Sequence, residues 1–350
     1  MIFKKNVLLV KKYLEYRRNV DQISEGSVKA EETHLRYVLF WMQETPFKDA
    51  QDKRPTFPAY FQAHPLNERN KPLSPVYIKK ALATARMFFT WLSENETGYR
   101  KIKPAWIKKI KVKRLVNVPR NTEYVTIEEM LDIAARPART VQARRARAAL
   151  AFLYLSGARI GAFVSLPLQA VDIPNRVIIQ DPSLGVQTKN SKFGITYLLN
   201  IPELLQIVQE WDDEIRSILP PTGFWFAPLS FITSEIDPNI IEIGKHRDIT
   251  ARRDMKAWLE HENLPYHSPH KFRHGHIHYA NSFARTVADM KAVSLNVMHS
   301  DIQTTDSFYS SFQGDELKNR ISALNQNGKA EGKQDIISEL ESILRRLKGE

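Results

Sequence analysis

Three short segments, far apart in the chain, bring cations or proton-transfer groups into settings where a merely solvated residue is not expected. In Ser156-Gly157-Ala158-Arg159-Ile160-Gly161-Ala162 an arginine follows a helix-ending glycine inside an apolar stretch. A guanidinium placed so deeply must have a partner, because desolvating it alone is costly. A buried carboxylate would serve, and so would an incoming phosphate, which suits the bidentate fork of arginine. In Pro269-His270-Lys271-Phe272-Arg273-His274 a helix opens that continues through His276, His278 and Tyr279. Residues 270, 273 and 274 share a face, since side chains three and four apart are neighbours on a helix. The helix N-terminus itself favours an anion. The spacings His270/His274 and His274/His278 invite a metal, but no glutamate stands between them and no third ligand is evident, so no metal is assigned. The third segment runs from Asn296 through His299 and Thr304-Thr305 to Tyr309, again joining an imidazole to hydroxyls.

Periodicity says what must hold these segments in place. Helix-period apolar spacing runs through 5–20, 28–43 and 79–92, so the N-terminal third reads as all helical. Six prolines from Pro46 to Pro75 interrupt it, and 44–74 reads as a long loop. A second unit opens near 122, where Thr126-Ile127-Glu128-Glu129 has the capping-box pattern. Helices follow through Tyr154, to about Leu168, and over 203–218, 248–262, 270–283 and 286–297. The β-rich runs 176–180 and 195–199 flank the polar turn Thr188 to Gly194, a hairpin with Lys189 and Lys192 at its tip. The closing segment 333–348 carries Ile336, Ile337, Leu340, Ile343, Leu344 and Leu347 at helical period. The fold class is mainly α with a small antiparallel β-hairpin or sheet (α+β).

Composition narrows the function. A chain of 350 residues is enough for two or three domains, and no run approaches the ~18 apolar residues a membrane span requires. The absence of cysteine excludes disulfides, iron–sulfur clusters and a thiol nucleophile. The first residues lack a signal-peptide pattern, which predicts a cytoplasmic protein with no membrane partner. The net charge of +12 favours a polyanion, of which nucleic acid is the commonest. Much of that charge lies in one stretch: Arg100, Lys101, Lys103, Lys108, Lys109, Lys111, Lys113 and Arg114, interleaved with Ile102, Trp106, Ile107 and Ile110. A basic connector with buried anchors fits a strap along a phosphate backbone, where each neutralised phosphate releases counterions. A second cluster, Arg136, Arg139, Arg144, Arg145 and Arg147, reads as a further contact surface or as a solvated helix face. The division expected is 1–99 helical, 100–121 basic linker, 122–325 second domain and 326–350 tail.

Taken in order, Gly-x-Arg in an apolar helix pair, a lysine-tipped hairpin, His-x-x-Arg-His, and a histidine followed by Thr-Thr and tyrosine resemble the tyrosine recombinases of the phage integrase family. The resemblance covers roughly 122–325. It implies a helical core-binding domain (1–99) and a catalytic domain joined by the basic linker, closing around double-stranded DNA. It implies that Arg159 and Arg273 hold the non-bridging oxygens of the scissile phosphate, and that Tyr309 attacks it to give a 3′-phosphotyrosyl link and a free 5′-hydroxyl. Lys189 would protonate the leaving oxygen, with Lys192 as its rival and otherwise a DNA contact. His270 would accept or relay the tyrosine proton, and His299 would donate a hydrogen bond to the phosphate. No cofactor is implied, because the bond energy is conserved in the phosphotyrosine.

The same resemblance implies four protomers on two duplexes, the 333–348 helix docking on a neighbour, accessory DNA-bending proteins, and integration or excision of a mobile element as the outcome. The sequence departs from the family pattern at three places. Ala162 stands where many members carry an acidic residue, Met298 replaces the glycine before the last histidine, and Phe308 holds the commoner tyrosine register, leaving Tyr309 one residue on. Two rival functions fit the residues: a type IB topoisomerase, and a DNA-binding regulator of the same fold with a dead active site.

Overall fold

The computed structural model describes residues 2–64, 66, 70–111, 123–240, 244, 246–284 and 286–298. The chain divides into two units, Met1–Pro119 and Arg120–Glu350.

In the first unit, α1 (Lys4–Asn19), α2 (Glu25–Met42) and α4 (Pro75–Asn95) pack around Tyr13, Leu35, Val38, Met42, Phe88, Phe89 and Leu92. Ser24 and Ser74 cap α2 and α4 by accepting hydrogen bonds from the amides of Ser27 (3.3 Å) and Tyr77 (3.1 Å), satisfying donors that a helix start leaves without partners. The proline-rich stretch expected to be loop contains a 3-10 turn, Phe47–Asp49, and α3 (Phe57–Ala63). The reason is positional: Pro58 and Pro75 lie in first turns, where a missing amide hydrogen costs nothing and a fixed φ favours the helix. Prolines there begin helices instead of breaking them.

Residues 100–111 of the basic stretch are among those described. Ile102, Ile107 and Ile110 are buried in the first unit's core, before, within and after the short helix α5 (Pro104–Ile107). Gln51 accepts from the Lys103 amide (2.9 Å) and donates to the Lys101 carbonyl (3.1 Å), and Arg86 holds the Ile110 carbonyl (3.2 Å). Residues 100–110 are therefore a strap fixed to the first unit. Arg100, Lys101, Lys103, Lys108, Lys109 and Lys111 are all exposed on it; Lys113 and Arg114 lie outside the described residues.

The second unit is built on α7 (Val141–Ser156), whose C-terminal half is buried all round from Ala148 to Ser156, as a central helix must be. Around it lie α6 (Ile127–Ala135), α9 (Pro202–Arg216), α10 (Arg247–His261) and α11 (Pro269–Ser282). The Thr126 capping box forms as the sequence predicts, with Glu129 amide to Thr126 Oγ1 at 3.2 Å and the return bond at 2.8 Å. The short helix α8 (Ile160–Phe163) follows α7, and α12 (Val287–Asn296) follows α11. Strands β1 (Val171–Asp172), β2 (Val177–Gln180) and β3 (Gly194–Tyr197) form an antiparallel sheet in the order β1-β2-β3, with Val177 opposite Tyr197 and Gln180 opposite Gly194. β1 is too short to leave an alternation in the sequence. The β2–β3 connection, 181–193, is longer than the turn predicted and holds two 3-10 turns, Pro182–Leu184 and Lys189–Ser191.

The arginine cluster 136–147 is structural for the most part, which corrects its reading as a contact surface. Arg145, 4% exposed, pairs with Asp254 at 2.6 Å and donates to the Ala227 carbonyl. Arg144 forks onto Glu214 with two 2.8 Å bonds. Arg136 pairs with Asp132, and Arg147 donates to the Arg136 carbonyl. Arg144, Arg145 and Arg147 bind α7 to its neighbours. Among the described residues no helix is long and apolar enough to cross a membrane.

Candidate active site

The site begins at the end of α7, where Gly157 turns the chain with φ of 59°. A side chain is excluded twice over there, by the left-handed backbone and by space: a Cβ would stand 2.8 Å from His276 and 2.9 Å from Val297. Two residues on, Arg159 caps α8 and is half-buried. Its guanidinium has no hydrogen bond or ion pair with any described residue, and burial alone lowers its pKa. Ala162, at the family's acidic position, is buried in the core and supplies no carboxylate.

Arg273 reaches the same turn from α11. It is 3% exposed and donates to the carbonyls of Gly157 and of Val297 (2.6 Å). Neutral carbonyls take two of its five donors, and no described carboxylate compensates its charge. Burial first, and then the neighbouring Arg159, push its pKa down to about 9. Two like charges share a partly dry site with no carboxylate among the described residues, an arrangement that favours an arriving anion. His270, one turn before Arg273, is exposed, and its ring meets that of His274 edge to face at 4.1 Å between centroids. Partial burial, then Arg273, Arg159 and Arg252, lower its pKa. The shift favours the neutral imidazole, the form that can take up a proton.

Lys189 and Lys192 are exposed on the β2–β3 connection. The middle of that connection is pinned to the Arg159 region, since the Gln187 amide donates to Ser165 Oγ (2.8 Å), itself bonded to the carbonyls of Gly161 and Ala162 on α8. Gly194, the first residue of β3, lies under the Met298 side chain, with a Cβ there only 2.7 Å from Met298 Cε. Met298 has φ of 53°, a conformation that costs a non-glycine residue ~1–2 kcal/mol. Here packing of the Met298 side chain on Gly194 offsets the strain. His299 and Tyr309 lie outside the described residues, as does the 333–348 segment.

Sequence reasoning gave no role to two residues of this neighbourhood, Asn296 and His276. Neither type at its position signals more than a helix end or a core histidine. His276, 1% exposed, donates from Nδ1 to the Tyr154 carbonyl at 2.9 Å, which leaves Nε2 as an acceptor 3.5 Å from Asn296 Nδ2. Burial pushes its pKa down to about 4. The unfolded chain, with an ordinary value near 6.5, binds more protons than the folded one between these limits. Its contribution is thus complete above ~6.5 and is lost as pH falls toward ~4, by up to ~3 kcal/mol. Urea unfolding at pH 7 and at pH 4.5 should show this loss in the wild type, and His276→Gln should show a smaller pH difference. Equal differences would mean that His276 does not titrate with folding.

The sequence model of the phage integrase family matches residues 122–314. A curated relative, the tyrosine recombinase XerC of Histophilus somni (strain 2336), is 23% identical over 299 residues, covering 85% of this chain and 90% of the relative. Among solved structures, XerH bound to its difH substrate aligns with a TM-score of 0.56 at 12% identity, over 91% of this chain and 84% of that one. The Tn1549 transposon integrase in complex with transposon right end DNA aligns at 0.54 and 16%, over 93% and 100%. A lambda integrase tetramer bound to a Holliday junction gives 0.56 and 14%, over 85% and 79%. At these identities the structures speak for the fold, a helical unit followed by a helical unit with a three-stranded sheet. The family match covers more than half of the chain, and the chain belongs to the phage integrase family of tyrosine recombinases.

Proposed function

We propose that the protein cuts and rejoins DNA at specific sites through a 3′-phosphotyrosyl intermediate, integrating or excising a mobile element. The observation that carries this reading is the pair Arg159 and Arg273, two partly or wholly buried guanidiniums with no carboxylate among the described residues to balance them. A scissile phosphate supplies the missing charge, and donors fixed beforehand cost no reorganisation as negative charge builds in the pentacoordinate transition state. Tyr309 Oη forms a bond to phosphorus while the bond to the 5′ oxygen breaks. The tyrosine proton passes to His270, neutral beforehand, and the leaving oxygen takes a proton from Lys189, or from Lys192 on the same loop. His299 donates a hydrogen bond to the phosphate. The reverse of these steps religates the strand, with no cofactor.

The exposed lysines 101, 103, 108, 109 and 111, with Lys113 and Arg114 beyond them, track the backbone of the duplex, and Lys192 contacts it near the cut. The solved relatives were captured with DNA, one as a tetramer on a Holliday junction, which supports assembly of four protomers here, coupled through the 333–348 stripe and aided by DNA-bending proteins. A cytoplasmic location suits this chemistry.

A suicide substrate, nicked so that the 5′-hydroxyl fragment diffuses away, tests the reading on one denaturing gel. The wild type should accumulate a covalent protein–DNA band at its own site, and Tyr309→Phe should form none while binding DNA equally well. An adduct from Tyr309→Phe would remove Tyr309 from the role. A wild type that binds but never couples would be the regulator, and one that couples and relaxes supercoils at any sequence would be the topoisomerase.

A further inference from the structure

β3 is an edge strand, and an open edge leaves amide and carbonyl groups without partners. At Tyr197 these groups are taken by one side chain. Asn296, the last residue of α12, accepts from the Tyr197 amide through Oδ1 at 2.7 Å and donates from Nδ2 to the Tyr197 carbonyl at 3.0 Å. Its amide thereby imitates a neighbouring strand residue. The Asn296 carbonyl accepts from Thr196 Oγ1 at 2.8 Å, and that hydroxyl accepts in turn from Gln180 Nε2 on β2 at 2.7 Å, both side chains being buried. The second Nδ2 hydrogen faces His276 Nε2. One residue on, Arg273 holds the Val297 carbonyl, and Met298 covers Gly194 at the other end of β3.

Asn296 therefore joins two things the chemistry needs in register: the arginine-bearing turn, and the strand from which the 181–193 loop departs. We infer that Asn296 is a positioning residue that fixes β3, and through it the lysine loop, against the turn held by Arg273, so that the general acid meets the leaving oxygen. The inference rests on the phosphotyrosyl reading above. Its logic is geometric: a general acid contributes ~10²–10⁴-fold, and a shift of about 1 Å in a reacting group can cost ~10²-fold. Alanine at 296 returns the edge of Tyr197 to water. Aspartate keeps the shape and the acceptor but places a second acceptor against the Tyr197 carbonyl.

The test uses the full chain and two suicide substrates, one with the ordinary 5′ oxygen at the cut and one with sulfur in that bridging position, whose thiolate leaves without needing a proton. Asn296→Ala and Asn296→Asp should bind DNA as the wild type does and form adduct at least ~10-fold more slowly on the oxygen substrate. On the sulfur substrate the deficit should shrink to within ~2-fold, as it should for Lys189→Ala or Lys192→Ala, whichever is the acid. A deficit equal on both substrates, or none on the oxygen substrate, overturns the inference. Should the Asn296 variants melt well below the wild type, Thr196→Val, which keeps the volume and removes the bond to the Asn296 carbonyl, carries the same comparison. A wild type that forms no adduct on either substrate defeats the phosphotyrosyl reading itself, whereas a competent wild type with unaffected variants defeats only the role of Asn296.

Discussion

Arg159→Ala and Arg273→Ala should each lower the rate of adduct formation on a suicide substrate by at least ~10²–10³-fold, the scale of losing one preorganised donor to a developing oxyanion. Their stabilities should differ, and this separates a substrate-directed charge from a structural one. Arg159 makes no bond to a described residue, and the field of Arg273 next to it is repulsive. Removing it should leave the thermal midpoint unchanged or raise it, as happens where a site holds charge for its substrate at the expense of the fold. Arg273 holds the carbonyls of Gly157 and Val297 in a setting where it is itself 3% exposed. Its loss orphans two buried acceptors at ~1–3 kcal/mol each, so the midpoint should fall by several degrees. Cleavage kinetics and a melting curve on the two variants decide the matter. If Arg159→Ala destabilises as much as Arg273→Ala, the site is a structural ion cluster and the phosphate assignment loses its support.

Neutralising the strap should have the second large effect. With ~6–10 phosphate contacts in all, wild-type affinity should fall ~10³–10⁵-fold between 50 and 200 mM salt. Converting Lys101, Lys103, Lys108, Lys109 and Lys111 together to glutamine should reduce the slope of log affinity against log salt by ~3–5, at ~0.9 for each phosphate no longer neutralised. These side chains are exposed while the apolar residues between them are buried, so the first unit should keep its fold. Arg145→Gln makes the contrast: Arg145 is paired with Asp254 inside the second unit, and breaking a buried pair should destabilise by ~3–5 kcal/mol with no change of slope. An unchanged slope in the lysine variant would place the DNA elsewhere.

Much of this was legible in the sequence because the signals were local. The Thr126 box, the α7 run and the Gly157-x-Arg159 turn each follow from side chains within a few residues, and in the structure they stand where the pattern put them. What misled was context. The prolines at 58 and 75 carry the same identity whether they break a helix or open one, and only the capping residue before them distinguishes the cases. The arginines at 136–147 read as a basic surface because Glu214 and Asp254, which neutralise Arg144 and Arg145, lie 70 and 109 residues away in sequence. Asn296 was invisible for a related reason: its partners at 196 and 197 are backbone and hydroxyl groups that leave no trace in residue type.

The prolines that open helices have one more consequence, which lies in the unfolded ensemble. Pro75, Pro104 and Pro202 stand exposed in the first turns of α4, α5 and α9, where their rings bury little surface in the folded state. Each narrows the conformations open to the denatured chain without straining the native one, a gain of ~0.4–1 kcal/mol per site. Two of them act on the first unit and one on the second, so the resistance of each unit to unfolding is set in part by chain entropy that the packing of the native state does not reveal.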